Sequence, residues 1–372
     1  MRTRLTELLG CRHPIVQTGM GYVAGAGLVA ATSAAGGFGI IASATMSLDR
    51  LRDTIQEVRR RTAAPFGVNI RADAPDAAQR IDLLIRERVR LASFALAPNR
   101  DLIRRCADGG VLTMPSVGAR RHAEKVAGWG VDAVLVQGGE GGGHTGPVPT
   151  TLLLPQVVDA VGIPVVAAGG FFDGRGLVAA LAYGAAGIAM GTRFLLTSDS
   201  PVGAEVKRQY LAAAVTDTVV TTRVDGVPHR VLRTPFVNAL ERSGRAAVLL
   251  RSIRHAAAFR RETGLSWPAL FHAARTTRHG RELSWQQTLM AANTPALLRT
   301  SMVDGRPESG VMPVGQVVGL IDDLPSCAEL IDRIMKEADD RLAELCSGSP
   351  ADRKQHETTM NAVVGTPSAD QD

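Results

Sequence analysis

The chain has 372 residues, 45% of them hydrophobic, only 4% aromatic, and 39 glycines. That mixture suits one large globular barrel or two medium domains and excludes a disordered or fibrous protein. The net charge of +6 and pI near 9.5 come almost wholly from arginine, since lysine stands only at positions 125, 207, 336 and 354, and no basic-aromatic module accompanies it, which argues against a nucleic-acid partner. No apolar run approaches the ~20 residues of a membrane span, and the N-terminal MRTRLTELLGCRHP has no signal core, so the cytoplasm is the expected location. Cys11, Cys106, Cys327 and Cys346 form no C-x-x-C pair, so neither a disulfide framework nor a metal site is expected.

Over residues 1–200, short apolar runs alternate with stretches of helical period. Strands are predicted over 14–20, 38–43, 66–70, 91–96, 111–117, 133–137, 164–168 and 187–194. Each is continuous and bounded by Gly, Pro or Asn, the pattern of a strand buried on both faces. Helices are predicted between them, over 48–61, 76–90, 120–129 and 174–183. Eight such units predict an α/β fold, a (β/α)8 TIM barrel, in preference to a doubly wound sheet of five or six strands.

The alternation ends after Phe194. A helix is expected over 201–214, then strands over 218–224 and 228–232 about an Asp225-Gly226 turn, which is a hairpin signal. Residues 236–300 are helical in pattern and arginine-rich, with Trp267 and Trp285 as packing anchors, and read as a cap over the barrel mouth. Leu324, Leu330, Ile331, Ile334, Leu342 and Leu345 mark a last barrel helix over 321–346. The domain reading is therefore a barrel over 1–200, hairpin plus helical cap over 201–320, a final helix over 321–346 and a disordered tail over 347–372.

The chemistry concentrates where strands end. Gln137-Gly-Gly-Glu-Gly-Gly-Gly-His144-Thr-Gly146 follows the sixth predicted strand, on the barrel face that carries active sites. Its glycines permit φ > 0 and close approach to a flat ligand, so the segment reads as presenting His144 to substrate above a cofactor. The bland alternative is a turn with a solvent-facing histidine. Ala168-Gly169-Gly170, with Asp173 beyond it, and Met190-Gly191-Thr192 end the next two strands, where barrels hold phosphate. Close helix–strand packing would explain one such pair. Three glycine loops at one rim suit a phosphorylated planar cofactor. FMN fits better than NAD, because no G-x-G-x-x-G follows the first strand and Gly25-Ala-Gly27 lacks its third glycine.

A free imidazole titrates near ~6.5, so His144 can take or give a proton at neutral pH. His13, His122, His255, His272, His279 and His356 read as structural or surface residues. His229 is set apart, because Arg223, His229, Arg230 and Arg233 share one hairpin and either grip a CoA phosphate or form a solvated face. There is no G-x-S-x-G, no H-E-x-x-H and no carboxylate cluster with ligand spacing. No cysteine lies between Cys106 and Cys327, against a barrel with a cysteine nucleophile.

Gln17-Thr-Gly19-Met20, the loop from Gln137 to Gly146, residues 167–170 and Gly184-Ala-Ala-Gly-Ile-Ala-Met-Gly-Thr-Arg-Phe194 together resemble the nitronate monooxygenase (2-nitropropane dioxygenase) family of FMN barrels. The likeness covers residues 1–346 and extends to flavin-dependent enoyl-thioester reductases. Within the family, residues 219–236 and 290–295 resemble the flavin reductases of actinobacterial steroid-ring catabolism. The resemblance implies Gly19 and Met20 beside the isoalloxazine, Asn69 and Gln137 as polar contacts, and Gly142 and Gly143 close to the cofactor. It implies Ala168, Gly169, Gly170, Gly191 and Thr192 around the phosphate, and His144 as the catalytic residue. Ser116 stands where some nitronate monooxygenases carry a lysine, which removes a cation beside the flavin and argues against nitronate oxidation by the usual route. The resulting expectation is NAD(P)H-dependent reduction of an unsaturated or cyclic acyl-CoA, a steroid-derived one included, with NADH or NADPH as co-substrate. The alternatives are a nitronate monooxygenase using O2 and a flavin-binding scaffold. A small-molecule CoA thioester and a second copy of the chain are the expected partners.

Overall fold

A computed structural model describes residues 1–95, 98–242 and 294–347. Strands β1 (Ile15–Gln17), β2 (Phe38–Ala42), β3 (Gly67–Arg71), β4 (Leu91–Ala95), β5 (Leu112–Val117) and β6 (Val134–Gln137) run parallel in chain order. After the short β7 (Gly143–His144), β8 (Val165–Ala168) and β9 (Gly187–Met190) complete the sheet. β1 pairs with β2 through Val16 and Phe38 and with β9 through Ile15 and Ile188, so the sheet closes into an eight-stranded barrel. A doubly wound sheet would leave two open edges.

The continuous apolar runs follow from burial on both sides. Val16, Phe38, Ile40, Leu91, Met114, Leu135, Val166 and Ala189 fill the barrel. Ile15, Ile41, Val68, Phe94, Val134, Val136 and Ile188 face the helices. Side chains alternate along a strand, so two residues beyond Gly67, Leu91, Met114 and Leu135 the inward positions are Asn69, Ser93, Ser116 and Gln137. The inner layer at the C-terminal rim is therefore polar.

Helix Gly174–Ala182 is started by Asp173, whose carboxylate accepts from the Gly176 amide at 2.9 Å. That cap accounts for the aspartate after Gly170. The final helix, Cys327–Ser347, packs against Gly174–Ala182 and Ala26–Ala34, closing the helical ring between its last and first members. It starts six residues later than the hydrophobic pattern predicts and includes Ser347, so the expected tail does not begin there.

Three expectations need correction. The ninth strand stops at Met190 rather than running to residue 194, and Thr192–Leu195 forms a helical turn. The hairpin exists as β10 (Thr218–Thr221) and β11 (His229–Leu232), but residues 222–228 connect them, so Asp225-Gly226 is part of a longer loop, not a two-residue turn. The hairpin does not stand alone either, because β11 pairs antiparallel with β7 and makes a three-stranded sheet above the barrel. Helices Pro235–Arg242 and Thr294–Met302 form the two ends of the predicted 236–300 cap, while Trp267, Trp285 and residues 243–293 lie outside the described residues, as do residues 348–372.

Candidate active site

The glycine-rich segment leaves β6 at Gln137 and is fixed from several sides. The Gln137 side-chain amide donates to the carbonyls of His144 at 2.8 Å and Gly142 at 3.3 Å. The Glu140 carboxylate accepts from the Thr150 amide at 2.9 Å and its hydroxyl at 2.8 Å. From the hairpin, the Arg230 guanidinium donates to Gly139 O at 2.9 Å and Thr218 Oγ1 at 2.8 Å. The β7–β11 register sets His229 opposite His144 and Arg230 opposite Gly143.

That pairing builds the site's chemical centre. His144 Nε2 lies 2.5 Å from Asp225 Oδ2, a short charge-assisted contact. His229 Nδ1 lies 3.5 Å from the same oxygen, too long for a hydrogen bond but close enough for attraction, and the two imidazole centroids are 4.7 Å apart. Asp225 Oδ1 accepts from the Val227 amide at 3.2 Å, which fixes the carboxylate's direction. The side chains of Asp225 and His229 are 6% and 5% exposed, whereas that of His144 is 53% exposed. Asp225 and His229 therefore support, and His144 faces outward. Burial alone would raise the Asp225 carboxyl, but the two imidazoles overcome this and hold it well below the usual carboxylate range. Burial pushes His229 down, against an opposing pull from Asp225, which favours its neutral form.

The three glycine turns converge as expected. A Cβ on Gly169 would lie 3.1 Å from Gly138 O and 3.2 Å from Gly141 N. Thr192 Oγ1 accepts from the Gly315 amide at 3.0 Å, and Gly315 in turn packs on Glu140 O. Across the rim, a Cβ on Gly191 would lie 3.2 Å from Thr18 Oγ1 and 3.5 Å from the Met20 sulfur, and one on Gly19 would lie 2.6 Å from the Asn69 Cβ.

The reason for several glycines differs from the sequence reading. Beside Gly138 stands Thr150, beside Gly141 the Gln137 side chain, and beside Gly142 the backbone of Val314 and Gly315, where a Cβ would come within 2.5 Å. The neighbours that forbid side chains there are the protein's own atoms. At Gly143 (φ 72°) and Gly170 (φ 86°) a Cβ would meet only ordinary contacts, His229 Nε2 at 4.0 Å and Glu140 Cβ at 3.8 Å, so the positive φ is what calls for glycine there.

The predicted arginine cluster does not act as one unit. Arg230 is turned into the loop, His229 is buried against Asp225, Arg223 is half-buried, and Arg233 is exposed. His229 in a phosphate grip is thereby corrected. Sequence reasoning missed Asp225 and Ser93, whose hydroxyl lies 3.3 Å from the Asn69 amide nitrogen. It also missed Tyr22, a bulky residue at φ 64° in the turn after β1. Ser93 was signalled by a lone polar residue in an apolar strand, at the same inward register as Asn69.

A closed β/α barrel with an imidazole over a polar, glycine-lined rim defines the class: a flavin-dependent oxidoreductase. More particularly, a family model described as nitronate monooxygenase matches residues 2–82 and 76–337, and the chain belongs to that family. It is 62% identical, over 91% of its length and 96% of the relative's, to a Mycobacterium tuberculosis protein named (3aS,4S,5R,7aS)-5-hydroxy-7a-methyl-1-oxo-octahydro-1H-indene-4-carboxyl-CoA dehydrogenase. It is 59% identical to a Rhodococcus jostii protein of the same name, over 93% of this chain and 98% of that one. Among solved structures, FabK from Thermotoga maritima superposes with a TM-score of 0.76 at 36% identity, covering 93% of this chain and 99% of that one. No helix among the described residues is long and apolar enough to cross a membrane.

Proposed function

We propose that this enzyme is an FMN-dependent oxidoreductase of a cyclic acyl-CoA thioester, in which His144 handles the proton of the reaction. The observation that carries the reading is the outward-facing His144 imidazole backed by the buried Asp225 carboxylate at 2.5 Å. The rim suits a flavin. Gly169 (φ 95°) and Gly170 (φ 86°) curl the backbone at the end of β8, and the leading amides of Thr192–Leu195 lack partners within their own helical turn. Gly169, Gly170, Gly191 and Thr192 would hold the phosphate, and Asn69, Ser93, Ser116 and Gln137 would meet the polar edge of the ring. When bound, FMN supplies the hydride acceptor or donor.

His144 then takes a proton from the carbon beside the thioester carbonyl in dehydrogenation, or returns it in reduction. Asp225 orients the imidazole through the 2.5 Å contact. The names of the two relatives favour dehydrogenation of a bicyclic thioester over the reduction that the sequence suggests. Exposed Arg233 is a candidate for the CoA phosphates, and Arg230 is not, because its guanidinium is held by Gly139 and Thr218. Ser116, with no cation to offer, supports this reading over nitronate oxidation.

The test is to purify the protein, record its absorption spectrum and identify any released flavin. Turnover of a bicyclic acyl-CoA with NAD⁺ or NADP⁺, and of its unsaturated product with NADH or NADPH, is then compared with O2 uptake on a nitronate. A yellow protein active on the thioester is expected. A colourless protein that refuses added FMN, or one active on the nitronate alone, overturns the proposal.

A further inference from the structure

The group formed by His144, Asp225 and His229 exceeds what proton handling requires. A base and a carboxylate would suffice, yet a second imidazole is buried beside them. At 4% exposure, neither ring nitrogen of His229 has a hydrogen-bond partner among the described residues. Buried polar atoms are ordinarily paired, and leaving one unpaired is destabilising. Nδ1 of this ring is the nearer to Asp225 Oδ2, at 3.5 Å, and one ligand atom from each of the three residues falls within 4.8 Å of the others.

We propose that His144, Asp225 and His229 form a binding site for a divalent transition metal of the Zn²⁺ class, whose occupancy blocks the enzyme by taking up the working imidazole. The consequence for turnover rests on the role assigned to His144 above, whereas the site itself does not. Two imidazole nitrogens and one carboxylate oxygen suit Zn²⁺ or Co²⁺ better than Mg²⁺ or Ca²⁺, which take all-oxygen shells. With Zn–N near 2.0–2.1 Å and Zn–O near 2.0–2.2 Å, tetrahedral ligand atoms stand about 3.3 Å apart. The His229–Asp225 distance of 3.5 Å already meets this, and the 2.5 Å between His144 and Asp225 must open. His144 can supply that movement because it is the half-exposed member. The Val227 amide, at 3.2 Å from Asp225 Oδ1, keeps Oδ2 turned toward both rings, as an outer partner does for a ligating carboxylate. Three protein ligands leave the fourth tetrahedral position to water, on the side where His144 is open. This set has no signature in the chain order, because His144 and Asp225 are 81 positions apart and meet through the β7–β11 pairing.

The experiment uses the flavin-loaded enzyme after chelator treatment and gel filtration. Co²⁺ is titrated in with the flavin fully oxidised, and the visible absorption of tetrahedral Co²⁺ is read at wavelengths beyond the oxidised flavin's bands. Zn²⁺ retained after a second gel filtration is measured by elemental analysis. One equivalent of each ion is expected, with inhibition by Zn²⁺ that a chelator reverses. His144→Ala, at a half-exposed position that does not threaten the fold, should weaken Co²⁺ binding at least about tenfold. His229→Gln should do the same while keeping the flavin spectrum. Absence of the Co²⁺ band in wild type, or equal binding by wild type and His144→Ala, overturns the proposal. The Co²⁺ signal needs no substrate, so a metal-free enzyme that binds Co²⁺ but fails with acyl-CoA would refute the proposed function and leave the metal site standing.

Discussion

His144 and His229 are directly opposed residues of two antiparallel strands, and one oxygen of Asp225 lies against both. Cross-strand neighbours on one face stand about 4.5–5.5 Å apart at Cβ, so the hairpin fixes the imidazole pair by backbone geometry rather than by side-chain preference alone. The barrel supplies the platform and the arm supplies the charge. A histidine at the end of a flexible glycine loop would sample many positions, whereas this one is strapped by β11.

Asp225→Asn should retain flavin and lower kcat by about 10²-fold or more, within the range that proton-transfer groups contribute. The sign of its pH effect follows from the pair. The carboxylate is held below its usual range because it is stabilised by the imidazoles, and its pull on His229 opposes the burial that lowers that ring. Removing the negative charge leaves burial unopposed at His229, so a limb of the pH–rate profile that reports this ring moves to lower pH. A profile unchanged in position would count against the assigned coupling.

For His144→Ala, the side chain lost is outward-facing and, among the described residues, makes its polar contact with Asp225. The variant should fold, bind flavin as wild type does, and lose about 10²–10⁴ in kcat. Flavin content is read from the visible spectrum and turnover from steady-state kinetics. Full activity would remove His144 from the mechanism.

The barrel was legible because each strand is buried on both faces, which makes a continuous apolar run such as 38–42 or 91–95 hard to mistake. His144 and the rim glycines were legible by position, at strand ends. Asp225 was not, because Asp-Gly in a chain is first a turn signal, and its role depends on a loop folded back over 81 residues. At Gly142 the structure supplies a reason for glycine that the sequence does not show. Glycine reports that something is close, and sequence alone does not say whether the neighbour is a ligand or, as here, the backbone at Val314 and Gly315. Thr192–Leu195 looked like strand because its apolar residues continue β9, but Gly191 ends the extended run.

Gly142 and Gly170 therefore separate two kinds of glycine. Ala at position 142 places a Cβ 2.5 Å from one backbone atom and 2.6 Å from another, neither of which can rotate away. Gly142→Ala should cost about 1–3 kcal/mol by overpacking and displace the loop that carries His144. Gly170→Ala meets nothing closer than 3.8 Å, and its penalty is the positive φ alone, roughly 1–2 kcal/mol. Thermal unfolding of both variants, with kcat alongside, checks this. Gly142→Ala should lose much of its turnover, and Gly170→Ala should differ mainly in flavin affinity, since Gly170 is one of the residues proposed to hold the phosphate. Equal effects on both quantities would mean the two positions are not distinguished by what surrounds them.

Arg230 ties the arm to the loop through Gly139 O and Thr218 Oγ1, and burial lowers its proton affinity without neutralising it. Arg230→Met keeps the length and the apolar stem but removes every donor. The Gly139 carbonyl and Thr218 hydroxyl then lose a charged partner, a loss of about 1.5–3 kcal/mol for bonds of this type, discounted because the side chain is half-exposed. If Arg230 acts as a strap, kcat should fall with KM for the acyl-CoA little changed, since His144 is placed less well while substrate affinity is untouched. If it binds the CoA phosphates instead, KM should rise and become less sensitive to salt, with kcat preserved. Steady-state kinetics at two ionic strengths decides between them, and the hydrogen bonds to Gly139 and Thr218 predict the first pattern.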